Sequence, residues 1–110
     1  MQQITNEPQE ARDDEFAINT YNIKKAEIIL RALNHKLRQD LIRLIHQNKS
    51  ITVTQLYTQL RIEQSVASQH LAILRKAGVV TILRQGKHKY YSINLVRLDQ
   101  IKYFAENLVA

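Results

Sequence analysis

The sequence predicts a mainly α-helical domain that carries one two-stranded β-hairpin near its C-terminal end. Three observations predict this fold class. Apolar residues recur at helical spacing from residue 16 to residue 77, their period drops from about 3.6 to about 2 over residues 79–93, and helical spacing returns over residues 95–110. A chain of 110 residues holds one modest hydrophobic core and is too short for two.

The first 15 residues differ in composition from the rest of the chain. They hold Pro8, few apolar side chains, and five acids against the single base Arg12. Such a segment buries too little apolar surface to fold, so we expect residues 1–15 to be a disordered acidic leader. Residues 16–110 hold 15 Lys and Arg against five Asp and Glu, a net charge of +10. A small domain that is this basic usually binds a polyanion.

Four helices are predicted before the hairpin. Segments 16–34 and 35–47 have wide apolar faces, and "NKSI" ends the second helix. A short helix follows, with Thr52 as its N-cap. After the tight turn "RIE", a longer helix begins near Gln64 and ends at Gly78, where a helix-terminating glycine belongs. A short helix joined by a tight turn to a longer one is a helix-turn-helix.

The hairpin comes directly after this motif. The β-rich runs Val79–Leu83 and Lys89–Ile93 flank the loop "RQGKH", whose glycine lies near the tip. Tyr90 and Tyr91 point to opposite faces, so we expect one to anchor the hairpin to the core and the other to be more exposed. Residues 95–110 then form the fifth helix. Four helices, a hairpin and a last helix make a winged helix-turn-helix.

The helix over residues 64–77 has an unusual polar face. At about 100° per residue, small hydroxyls and amides gather at its N-terminal end and two cations at its C-terminal end. A solvated face typically carries Glu and Lys at pairing distance. Hydroxyls and amides suit the base edges of a DNA major groove instead, although an ordinary polar surface is the alternative. The polar residues are Gln64, Ser65, Ser68 and Gln69, and the cations are Arg75 and Lys76.

His70 lies on the other side of the same helix, within the apolar arc. We expect a half-buried histidine that is hydrogen-bonded to backbone, and not a ligand of a metal or of DNA.

The hairpin loop is basic. Its cations can reach phosphates or an adjacent minor groove, or they can simply protect an exposed strand edge from pairing. Combined with the helix, the loop predicts a DNA-contacting surface. The residues predicted to contact DNA are Gln64, Ser65, Ser68, Gln69, Arg75, Arg84, Lys87, His88 and Lys89.

The segments "ALNHKLRQDLIRLI", "QSVASQHLAILRKAGVV" and "RQGKHKYYSI" together resemble the ArsR/SmtB family of bacterial winged-helix repressors, over about residues 20–110. The resemblance implies a homodimer that pairs through its first and last helices and blocks transcription on a palindromic operator. It also implies base reading by the four polar residues at the start of the 64–77 helix. Arg84, Lys87 and Lys89 would act from the wing.

The chain departs from this family at the metal sites. It has no cysteine, so thiolate metal sites and dithiol redox sensing are excluded. Asp99 stands in the region of a known zinc site, but Ile101 replaces the expected histidine. The four histidines show no i,i+4 pairing. We therefore expect no metal and no cofactor, and the effector is not readable from the sequence.

The function that these observations predict is sequence-specific binding of double-stranded DNA by a homodimeric repressor. A winged-helix protein–protein module without specific DNA binding is the alternative. An enzyme is not expected, because the sequence has no Gly-rich phosphate loop, nucleophile elbow or paired carboxylates. Without a signal pattern or an apolar run of about 20 residues, the chain is expected in the cytoplasm, away from membranes.

Overall fold

A computed structural model of the chain describes residues 17–110. The predicted leader, residues 1–15, lies outside this range. The order of four helices, a hairpin and a fifth helix is confirmed, with one short strand added. The elements are α1 (Thr20–Leu33), α2 (Lys36–Asn48), β1 (Ile51–Thr52), α3 (Val53–Leu60), α4 (Gln64–Lys76), β2 (Val80–Gln85), β3 (His88–Ile93) and α5 (Leu95–Val109).

Side-chain caps decide where two of the helices begin. The first helix starts at Thr20 and not at residue 16, because the Asn19 side chain accepts a hydrogen bond from the backbone N–H of Asn22 (3.1 Å). Thr52 is the N-cap of α3, as predicted. Its hydroxyl accepts from the Gln55 N–H, and the Gln55 side chain accepts from the Thr52 N–H, which completes a capping box.

A glycine ends α4 and starts the wing. Gly78 has φ of +79°, its N–H donates to the Arg75 carbonyl (2.9 Å), and the Val79 N–H donates to the Leu74 carbonyl (3.0 Å). These two bonds form a Schellman motif, which needs a residue that tolerates positive φ at this position. The predicted end of the helix is confirmed, and only residues 77–79 separate α4 from β2.

The hairpin belongs to a three-stranded antiparallel sheet in the order β1-β3-β2. β1 was not predicted, because two residues are too few to show a period. The hairpin strands are longer than predicted: Gln85 pairs with His88, so only Gly86 and Lys87 form the turn. Gly86 has φ of +62°, a conformation that favours glycine in two-residue hairpin turns.

The core lies between α2, α3 and α4 and the buried sheet residues Ile51, Val80 and Tyr91. Tyr91 is buried while Tyr90 is only half-buried, so the expected division between the two tyrosines is confirmed. The largest fully buried side chains are Leu41, Ile45, Ile51, Leu56, Leu71, Leu74, Val79 and Val80.

A buried arginine joins three helices at one point. Arg38 donates from Nε to the Ala32 carbonyl (2.6 Å) and from Nη2 to the Arg31 carbonyl (3.1 Å), which satisfies the last turn of α1. Its Nη1 lies 3.1 Å from Nδ1 of His70 on α4. Since a guanidinium only donates, the imidazole nitrogen accepts. His70 is half-buried as predicted, but its partner is this guanidinium and not backbone.

Replacing Arg38 with methionine is expected to lower the free energy of unfolding by about 1–3 kcal/mol, because one buried and one partly buried carbonyl of α1 lose their donor. Urea unfolding followed by circular dichroism measures this loss. The matched control is Arg43→Met on the same helix. Arg43 is exposed and pairs only with Asp40 at the surface, so its replacement should change stability by about 0.5 kcal/mol or less. Equal effects of the two substitutions would contradict the assigned role of Arg38.

The environment of His70 predicts how stability depends on pH. Burial, followed by the charges of His35 and Arg38, lowers the pKa of His70 below its ordinary value of 6.5. The unfolded chain therefore binds this proton at a higher pH than the folded chain does. The free energy of unfolding should be constant above that ordinary value and fall as the pH drops below it. Unfolding midpoints between pH 8 and pH 5 test this, and His70→Gln should flatten the profile.

Candidate nucleic-acid interface

The orientation of α4 exposes its predicted base-reading residues. Ala67, Leu71 and Leu74 are buried on one side of the helix, which fixes its rotation about its own axis. The opposite side is open to solvent at its N-terminal end. The exposed residues there are Gln64, Ser65, Ser68 and Gln69.

The wing has two different faces. Arg84 lies directly opposite Lys89 in the hairpin register, and Ile82 lies opposite Tyr91. Side chains two residues apart share a strand face, so these four belong to one face, which we call the inner face. Ile82, Lys89 and Tyr91 line a groove that the wing forms with α4. The inner face of the wing is therefore turned towards α4.

The groove between α4 and the inner face joins residues from both parts of the prediction. Ser68 and Arg75 enter it from α4, and Lys89 enters it from β3. Lys76 also lines it, although it was not among the residues predicted to contact DNA. Its place on the polar side of the helix, next to Arg75, is the sequence signal that identifies it.

Three predicted wing residues are not part of the groove lining, although Arg84 shares the inner face with Lys89. Lys87 is in the two-residue turn at the tip of the hairpin. His88 alternates with Lys89 and so lies on the outer face, where its ring meets that of Tyr90 edge-on at 6.3 Å between centroids. The structure thus separates His88 from the cations with which the sequence had grouped it.

The cations of the groove have no acidic partners within the described range. The ion pairs of residues 17–110 join Arg31 to Glu27, and Lys36 and Arg43 to Asp40, all on α1 and α2. Arg84 and Lys89 are like charges placed directly across two strands, an arrangement that destabilises a sheet. A bound polyanion would remove this repulsion and interact favourably with both charges.

A metal centre is not evident in this part of the chain. Among residues 17–110, no three His, Cys, Asp or Glu side chains come together in a cluster that could hold an ion. In the same range, no helix is long and apolar enough to cross a bilayer.

Comparison with known proteins places this geometry in a family. A model described as a helix-turn-helix domain matches residues 33–82, from the end of α1 into β2. The transcriptional repressor PagR of Bacillus anthracis is 34% identical over 73 residues, which cover 66% of this chain and 73% of PagR. The transcriptional activator HlyU of Vibrio cholerae is 30% identical over 73 residues, covering 66% of this chain and 67% of HlyU.

Solved structures agree with the sequence matches. The crystal structure of PagR superposes with a TM-score of 0.62 at 31% identity, covering 78% of this chain and 99% of that one. A possible regulator for arsenical resistance superposes with a TM-score of 0.68 at 27% identity, covering 74% and 84%. The chain belongs to the ArsR family of winged helix-turn-helix transcriptional regulators. This is a family of regulators and not of enzymes.

The division of the wing into two faces predicts different roles for two neighbours in this ArsR-family chain. Lys89→Ala should weaken binding to any duplex and lower the slope of log affinity against log salt by about one, because one phosphate contact is lost. His88→Ala, on the outer face, should leave the slope unchanged. Fluorescence anisotropy with a labelled random-sequence duplex at several salt concentrations measures both slopes. A larger drop in this slope for His88→Ala than for Lys89→Ala would contradict the assignment of phosphate contact to the inner face.

Proposed function

We propose that the protein is a homodimeric, sequence-specific transcriptional repressor that binds a palindromic operator in the cytoplasm. Helix α4 would lie in the major groove, and the wing would contact the backbone or the adjacent minor groove. Residues 16–110 would form the DNA-binding and dimerisation domain. One observation carries this proposal: Ser68 from the polar end of α4 lines the same groove as the cations Arg75, Lys76 and Lys89, and no described carboxylate forms an ion pair with these cations.

Base reading is assigned to the N-terminal turns of α4. The side chains at this end are short or neutral, so the helix backbone can approach base edges closely, and the amides offer a donor and an acceptor together. A glutamine pairs well with adenine and a serine hydroxyl with either kind of base edge. Phosphate contact is assigned to the longer cations around the groove, which carry no sequence information themselves. These cations are Arg75, Lys76, Arg84 and Lys89, with Lys87 at the tip.

Dimerisation is supported by the apolar surface of the two terminal helices. Only Ile101 is buried on α5, whereas Val96 and Tyr103 are each 71% exposed. On α1, Tyr21 and Ile28 are 67% and 57% exposed. A helix that is apolar on several sides needs neighbours on several sides, and a second copy of the chain supplies them. Two recognition helices related by a twofold axis would then read a palindromic site.

We propose that the protein represses transcription and does not activate it. PagR, the more similar of the two relatives compared above, is named a transcriptional repressor, while HlyU is named an activator. A dimer bound across a promoter would exclude the polymerase from it.

Two substitutions on α4 separate base reading from phosphate contact. Ser68→Ala should weaken binding to a selectively bound duplex by about 1–3 kcal/mol while leaving a scrambled duplex of the same composition almost unaffected. Lys76→Ala should weaken both duplexes alike. Anisotropy titrations of the two variants on both duplexes measure these losses. Equal losses on both duplexes for Ser68→Ala would remove the base-reading assignment, and absence of duplex binding even at low salt would favour a protein–protein module.

The dimer has its own test on α5. Tyr103→Glu should place a charge in the apolar contact and shift the chain towards monomer at micromolar concentration in sedimentation velocity. The control is Lys102→Glu, one residue away on the side of α5 that faces α2. Wild-type protein that sediments as a monomer would exclude the proposed homodimer.

A further inference from the structure

A crevice lies between α1 and α5, away from the groove of the wing. Its volume is about 160 Å³. The walls are almost entirely apolar, and the only polar side chains belong to Arg97 and Gln100 of α5. The apolar residues are Ala26, Ile29, Leu30, Ile101 and Phe104.

The cation in this crevice is half-buried and lacks an acidic partner. No carboxylate of residues 17–110 forms an ion pair with the guanidinium of Arg97. Its N–H groups likewise donate no hydrogen bond to another described residue; the bond at Arg97 comes from its backbone N–H to Asn94. A guanidinium next to an apolar cavity presents a rigid fork of donors that matches a carboxylate. The charge of the crevice thus favours an anion.

The same guanidinium touches the end of the recognition helix. A Cβ placed on Gly78 would lie 3.2 Å from Nε of Arg97, so the side chain of Arg97 rests against the backbone of this glycine. Gly78 is the residue at which α4 ends and the wing begins. A change in the position of Arg97 would therefore alter its contact with Gly78, between α4 and the wing.

The size of the crevice limits what can occupy it. A helix is about 10 Å wide and cannot enter, so a second copy of the chain can cover the mouth but not fill the space with a helix. An apolar cavity of roughly 150 Å³ holds one benzene ring. Ligand sites in proteins more often measure about 300–1,000 Å³, so the ligand here is small.

We propose that this crevice is a binding site for a small aromatic carboxylate. The ring would lie between Ile29 and Phe104, and the carboxylate would accept hydrogen bonds from Arg97 and from the amide of Gln100. Because Arg97 contacts Gly78, the ligand would act on the orientation of the wing relative to α4. This last effect on DNA rests on the proposed function, whereas binding of the ligand does not.

Benzoate is the probe, and the two glycines of the chain are the reporters. The full chain labelled with ¹⁵N-glycine gives two backbone amide signals, Gly78 beside Arg97 and Gly86 at the tip of the wing. Benzoate should shift the Gly78 signal saturably and leave the Gly86 signal in place. Benzamide has the same shape without the charge and should bind at least about tenfold more weakly, since a charge-assisted pair is lost.

Three variants locate the site. Arg97→Gln should weaken benzoate binding about tenfold or more, while Lys102→Gln, which removes an exposed cation outside the crevice on the same helix, should change it less than about twofold. Ala26→Leu fills the crevice without altering charge and should abolish binding. Circular dichroism confirms that each variant is folded.

Any of three results would overturn the proposal. Equal affinity for benzoate and benzamide, or an unchanged affinity in Arg97→Gln, would show that the crevice does not select an anion. Absence of any shift at Gly78, together with weaker self-association of Ala26→Leu, would show that a side chain of the second copy occupies the space. Since no DNA is present, failure here is distinct from failure of the proposed regulator function.

Discussion

Burial of one face of α4 is the constraint on which the rest of the interface depends. Leu71 and Leu74 lie in the core, and this leaves the helix only one orientation about its axis. The polar face is consequently exposed as a set. The Schellman turn at Gly78 then joins the buried end of the helix to Val79 and Val80, which are also buried. The wing is thereby held beside the helix, and the groove between them follows from these contacts.

A second constraint acts through His70, on the apolar side of α4. Arg38 satisfies the last carbonyls of α1 and donates to His70, so the first helix, the second helix and the recognition helix share one buried guanidinium. The His35 ring packs against the His70 ring with 4.8 Å between centroids, and the Nδ1 of His35 accepts from the Leu37 N–H as the cap of α2. At His70 the Nδ1 accepts from a guanidinium, and burial lowers the pKa of this imidazole. Helices α1, α2 and α4 therefore share one network of hydrogen bonds.

Local signals predicted most of the architecture. Period, caps and the position of Gly78 are properties of neighbouring residues, and the structure confirms the elements they indicated, with α1 starting later. The sequence did not reveal the partner of His70, because Arg38 is 32 positions away and its contact depends on how α2 packs on α4. Strand β1 was not predicted because its two residues are too few to show a period, and its pairing of Ile51 with Tyr91 depends on a distant part of the chain.

The sequence predicted which polar and basic residues would be exposed on α4 and the wing, but not how they are arranged. The polar and basic residues could be read from a helical wheel and a turn, yet their division between two faces of the wing depends on strand register. One extra residue in the turn would have exchanged Lys89 and His88 between the faces. Lys76 was on the correct side of its helix, and only the closeness of the wing shows that it belongs with Lys89.

The central claim is that this surface reads a DNA sequence, and selection from a pool of random duplexes tests it with no operator chosen in advance. Duplexes retained by the full-length protein at moderate salt are amplified, reselected and sequenced. The account predicts enrichment of one motif made of two inverted half-sites about 10 base pairs apart, or a multiple of this, from centre to centre. Retention of duplexes with no shared motif after repeated rounds would contradict it and reduce the groove to a non-specific polyanion site.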